Sequence, residues 1–187
     1  VNLQTRAWFN ENLTSRNFYV PGVIASIVML VTLLLTSMSV VREKEMGTME
    51  QIVVTPITSA EFILGKTMPS IILGFVNMIF VTLISVFWFD IPVRGSMVTL
   101  LFANGFYLMT TIGTGLYIST ISATQQQAMM SAFFFYLPAV LLSGFMFPIA
   151  NMPEVVQAFT YLNPLRYFLI IIRGIFLKGA GVAILWP

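Results

Sequence analysis

The 187-residue sequence contains no cysteine and no histidine. The first absence excludes a disulfide framework, a thiol nucleophile and a Cys-ligated metal. The second removes the usual general base and the usual metal ligand together, so neither a catalytic group nor a metal site is expected. Charge is also scarce. Asp, Glu, Lys and Arg make up 9% of the chain, against about 25% in an ordinary soluble domain. With 58% hydrophobic residues and a mean hydropathy of +0.91, the chain cannot cover a water-facing surface. The expected class is an all-α integral membrane protein, a polytopic helix bundle embedded in the lipid bilayer. A net charge of +2, scattered along the sequence, excludes a nucleic-acid partner.

The uncharged runs set the organisation. A bilayer core of about 30 Å needs about 20 apolar residues in a helix. The first span is expected over about 20–41, with Pro21 and Gly22 at its entrance, where proline is tolerated. The second falls over about 67–89. Residues 95–153 carry no charge, and the polar cluster Ser122–Gln127 divides them into spans at about 97–121 and 128–147. That gives four complete spans, and 182–187 reads as the opening of a fifth. Residues 1–19 read as the end of an aqueous domain and 20–187 as the membrane domain. From 148 to 178, polar residues interrupt the apolar ones every few positions. This stretch reads as short amphipathic helices at the interface that dip into it. The sequence opens on Val1 and stops within an apolar run, so it is read as a piece of a longer protein. No span holds an ionisable residue at mid-depth, where ion-driven carriers usually keep one.

Between the first two spans lies a charged island, 42–66, with four of the seven acidic and three of the nine basic residues. Met46, Met49 and Val53 recur at the spacing of one helical face. Glu43, Lys44, Glu50 and Gln51 supply the polar surface, and Gly47 interrupts. Pro56 ends this helix. Thr58-Ser-Ala-Glu61 fits a capping box that starts a helix running into the second span. A methionine-rich face of mixed charge suits a partner's groove. The stretch Ala60–Thr67 imitates a phosphate loop, but Glu-Phe-Ile-Leu after a helix cap is helical rather than a Gly-rich turn, so no nucleotide site is expected. Thr111, Gly115, Ser119 and Ala123 form a small-residue stripe in the third span, which permits close helix approach. Pro138 is expected to kink the fourth span.

Several motifs then agree. Arg42-Glu-Lys-Glu-x-Gly-Thr-Met-Glu-Gln51 with Pro56 resembles the coupling-helix connection of bacterial ABC type-2 permeases. Leu142-Ser-Gly-Phe-Met-Phe-Pro148, Leu162-Asn-Pro164 and Arg173-Gly-Ile175 resemble that family's outer re-entrant signature, and Trp8-Phe-Asn-x-Asn-Leu13 with Tyr19-Val-Pro-Gly22 the exit from its external domain. The resemblance implies a multi-pass subunit of the bacterial inner membrane. It works as a homo- or heterodimer with a second permease subunit and exports substrate on ATP hydrolysed by a separate ATP-binding-cassette subunit. The permease itself carries no cofactor. It places 42–66 on the cytoplasmic side and 148–178 as an outer hairpin. Lys/Arg counts alone favour the opposite orientation, since only Arg42, Lys44 and Lys66 then lie inside. Carried over by position, Glu43, Glu45, Met46, Gly47, Met49, Glu50 and Val53 dock the ATPase. The substrate path, implied between 20–41 and 128–147, takes Thr36, Ser37, Phe133, Phe134 and Met146. A non-transporting membrane scaffold and an ion-driven carrier are the alternatives.

Overall fold

The computed structural model describes residues 15–89 and 95–178. Helix α1 spans Ser15–Ser37, α2 Val41–Glu45, α3 Met49–Val53, α4 Ser59–Phe87, α5 Met97–Ile121, α6 Gln125–Leu141, α7 Glu154–Thr160 and α8 Pro164–Arg173. No strand occurs among the described residues. Helices α1, α4 and α5 are each long and apolar enough to cross a membrane. Residues 1–14 and 179–187, and with them most of the expected aqueous domain and the opening of a fifth span, lie outside the described residues.

Two of the helices begin earlier than the spans expected for them. Helix α1 begins at Ser15 rather than at 20, so Pro21 lies inside the helix and not at its entrance. The adjoining Gly22 makes room for a neighbour: a Cβ there would fall 2.1 Å from the Phe145 ring. Tyr19 meets the same ring edge-on, with centroids 6.2 Å apart. The helix expected to run from the capping box into the second span is present: Thr58 caps α4 at Ser59 through a complete capping box with Glu61. The fourth helix is displaced toward the N-terminus. Thr124 caps it by accepting from the Gln127 N–H, so Gln125–Gln127 are helix and not loop. It ends at Leu141 after 17 residues, short of a full crossing by itself. Pro138 therefore sits in its last turn, and Gly144 turns the chain with a φ of +80°.

Helix α1 is the centre of the bundle, packed against α4, α5, α6 and α8. Lipid tails are as apolar as leucine, so association of spans rests on close packing rather than on the hydrophobic effect. Small residues supply that closeness. At Gly115 of α5 a Cβ would lie 2.8 Å from Thr36 Cβ, and at Gly74 of α4 it would lie 2.6 Å from Leu108 and 3.2 Å from the Thr32 hydroxyl. Thr111, Gly115 and Ser119 are buried as the stripe predicts, whereas Ala123 falls beyond the end of α5 and is exposed. Helix α4 buries a similar stripe, Thr67, Ser70, Gly74, Met78, Thr82 and Ser85, and turns its large side chains outward.

Helices α7 and α8 meet at 78°. Asn163 builds the corner. Its Oδ1 accepts from the Leu165 N–H at 3.1 Å, and its amide donates to the Ala139 carbonyl at 2.6 Å. Leu165, Phe168, Leu169 and Ile172 are buried on one face of α8, and Phe168 stacks on Tyr107 at 4.2 Å. Beyond α8, Ile175 packs where a Cβ on Gly95 would stand, at the start of α5. The chain thus leaves the end of α6, dips to Asn163 and returns to the same end of the bundle. The expected short helices are present as a bent pair.

Overpacking a close contact costs about 1–3 kcal/mol. Gly115→Val is expected to lower the melting temperature in detergent. Gly113→Val, where a Cβ meets nothing within 4 Å, should leave it nearly unchanged. Equal melting shifts would remove Gly115 as the α1–α5 contact point.

Candidate docking site

The charged island leaves α1 through a turn at 38–40 and is fixed by three hydrogen-bonded anchors. The first is Ser119 on α5, fully buried. Its hydroxyl oxygen accepts both the Val40 and the Val41 N–H at 3.0 Å each. The second is Lys44, which donates to the Thr120 carbonyl at the end of α5. The third is Glu45, whose Oε2 accepts from the Gln125 backbone N–H at 3.1 Å and from its side-chain amide at 2.8 Å. A carboxylate at the N-terminus of α6 also complements the helix dipole.

A fourth contact ties the island to α4. Glu43 forms an ion pair with Lys66 and accepts a hydrogen bond from the Thr48 hydroxyl. These hydrogen bonds, that from Lys66 foremost, hold the Glu43 carboxyl below its ordinary range. Those from Gln125 do the same for Glu45. Lys66 accordingly lies beside Phe62, 5.9 Å from the ring centroid, and bridges to α2 rather than reaching alone to the interface. No phosphate loop exists around it, since 59–87 is one continuous helix.

The single helical face expected from Met46, Met49 and Val53 is not present. Gly47 takes a φ of +73°, open to glycine without strain. It splits the segment into α2 and α3, five residues each. Met46 caps α2 and stands 54% exposed. Gly47 and Glu50 are exposed as well, while Met49 is half-buried in a 370 Å³ recess with Ile52, Phe62 and Leu116. Val53 closes α3. The seven expected docking residues therefore divide. Glu43 and Glu45 hold the island in place, and Met46, Gly47 and Glu50 form its open tip.

The expected path residues do not share a cavity. Thr36 and Ser37 are fully buried and donate to Thr32 and Leu34 carbonyls of their own helix at 2.7 and 3.0 Å. Phe133 and Phe134 point outward from α6, Phe134 85% exposed. Met146 lines a 280 Å³ cavity at the opposite end of the bundle, with Arg166 and Arg173. The sequence reading passed over Ser119 as an anchor, since a serine in a small-residue stripe reads as packing. It also passed over Asn104, fully buried in α5 with neither side-chain polar atom hydrogen-bonded.

The sequence profile of the ABC-2 type transporters matches residues 3–177. This chain belongs to the ABC-2 type transporter family. It is 42% identical over 183 residues to the probable multidrug ABC transporter permease YbhS of Escherichia coli K12, covering 96% of this chain and 48% of that protein. To the probable multidrug ABC transporter permease YbhR of the same organism it is 39% identical over 184 residues, 98% of this chain and 50% of the relative. The inner membrane transport permease YhhJ is 31% identical over 190 residues, covering the whole chain and 50% of the relative. The chain spans about half the length of the curated relatives it matches. No solved structure matches it. As an ABC-2 chain it is a multi-pass membrane protein of transporter type.

Two buried N–H groups lose their acceptor in Ser119→Ala, at about 1–3 kcal/mol for an unsatisfied buried group. Amide exchange at Val40 and Val41 is expected to speed up by about tenfold or more, with exchange in the middle of α4 unchanged. Unchanged exchange at both amides would mean that Ser119 does not hold the junction.

Proposed function

We propose that this chain is the central part of a permease subunit in an ATP-driven export system of the bacterial inner membrane. The island at 42–58 docks onto a separate ATP-binding-cassette subunit. The observation that carries this reading is the division of labour within the island. Glu43, Lys44 and Glu45 hold it to α4, α5 and α6, and Met46, Gly47, Glu50 and Val54 are left on its exposed surface. A tip held this way transmits a push to three helices at once. Methionine adapts to a groove, and Gly47 lets a partner approach the backbone closely.

In this reading the island is cytoplasmic, α6 with the turn after it makes the fourth crossing, and α7–α8 close the outer end. The outward side chains of α4 and α6 are free to meet lipid or a second permease subunit, identical or not. Thr36 and Ser37 reach a substrate only if α1 and α5 part, so a path along α1 belongs to a rearranged state. Phe133 and Phe134 line it only across the subunit interface. ATP binds on the partner, and this chain needs no cofactor of its own. Because YbhS and YbhR are named probable multidrug permeases, drugs are the first substrates to test. No observation favours the scaffold or the ion-driven carrier.

The test is co-purification of the full-length protein from native membranes. Glu50→Arg and, separately, Gly47→Arg are each expected to cut the co-purified ATPase and ATP-dependent efflux by about tenfold or more, the scale of a desolvated charge placed against a mismatched surface. An ATPase retained by both variants with full efflux would remove the docking role. Flux in liposomes without ATP would favour the carrier.

A further inference from the structure

A cavity of about 400 Å³ opens between the α1–α2 junction and α4, on the island's end of the bundle. Its walls are layered. On one side Leu35, Ser39 and Arg42 follow one another at i, i+4 and i+7. On the other Leu73, Ser70 and Lys66 follow at i, i−3 and i−7 along α4, which runs antiparallel. Both walls therefore pass from a cation through a hydroxyl to a leucine, on α4 over roughly 10 Å at about 1.5 Å per residue. Leu35 and Leu73 are exposed on the bundle surface, 36% and 46%, where acyl chains lie.

The charged layer carries a surplus of one positive charge. Glu43 also lines the cavity, but its carboxylate is taken by Lys66 and Thr48. An ammonium has three donors, and Lys66, 30% exposed, spends one on Glu43. The exposed guanidinium of Arg42 makes no salt bridge or hydrogen bond among the described residues. It offers a planar fork of the kind that matches phosphate oxygens.

We propose that this cavity binds the phosphodiester headgroup of an anionic phospholipid from the leaflet on the island's side. Arg42 and Lys66 hold the phosphate, the two serines lie at the level of the glycerol, and the acyl chains run over Leu35 and Leu73. The cation–hydroxyl–leucine order repeats the order of groups in the lipid itself. A free phosphate would use only the top layer and leave the apolar floor without a role. The lipid also sits against the ion pair that ties α2 to α4, so its headgroup stiffens the base of the island.

The experiment is native mass spectrometry of the full-length protein, purified in detergent and supplied with phosphatidylglycerol or phosphatidylcholine. Wild-type protein is expected to retain phosphatidylglycerol in preference. Arg42→Gln is expected to cut that retention about fivefold, the effect of one basic residue near an anionic headgroup. Arg42→Lys should keep most of it. Equal retention of the two lipids by wild-type protein, which needs no variant, overturns the proposal. So does unchanged retention in Arg42→Gln. Displacement of phosphatidylglycerol by millimolar inorganic phosphate would reassign the site to the free anion and overturn the lipid.

Discussion

One hydroxyl decides where the island points. The turn at 38–40 ends the run of α1, and the Val40 and Val41 N–H groups that follow have a single shared acceptor, Ser119. Buried backbone donors without partners are costly, most of all where no water reaches. The turn is therefore fixed relative to α5. Everything after it inherits that orientation: Lys44 falls on the last carbonyls of α5, Glu45 on the first N–H of α6, and Glu43 against Lys66. Gly47 is then delivered to the open tip.

The close approach of α1 and α5 is what brings Ser119 within reach. Gly115, one helical turn before Ser119, admits Thr36 at a distance no side chain would allow. The same stripe thus does two things. Its glycine sets the spacing of the helices, and its serine uses that spacing to satisfy the backbone at the junction. In a bundle without a hydrophobic driving force between spans, such contacts replace the core of a soluble domain. The largest buried side chains gather instead where α8 enters, around Phe168, Tyr107 and Phe176.

Much of this was legible in the sequence. Uncharged runs of membrane length marked α1, α4 and α5, and the polar residues that bracket 97–121 coincide with the ends of α5. The capping box at Thr58 gave the start of α4. The errors have physical causes. Hydropathy does not register helix ends, so the polar Ser15–Tyr19 and Gln125–Gln127 were assigned to flanking segments although both are helical. The run Leu142–Phe147 is as apolar as a span, yet Gly144 turns it. At the island, residue spacing suggested one face, but a left-handed glycine reset the register between Met46 and Met49. The charges were visible and their partners were not. Glu43 with Lys66 and Glu45 with Gln125 are pairings across helices that sequence spacing does not encode.

The hairpin of α7 and α8 carries a consequence for sidedness. It enters and leaves through one face, its corner at Asn163 held by the Ala139 carbonyl from within the bundle. With α7–α8 re-entrant, as proposed, it adds depth without adding a crossing. Whatever decides on which side of the bilayer each connection emerges, a re-entrant pair leaves the tally even. Lengthening or shortening it alters the plug at that end of the bundle and leaves the remainder of the chain facing as it did. Loss of α4, by contrast, would invert every segment that follows.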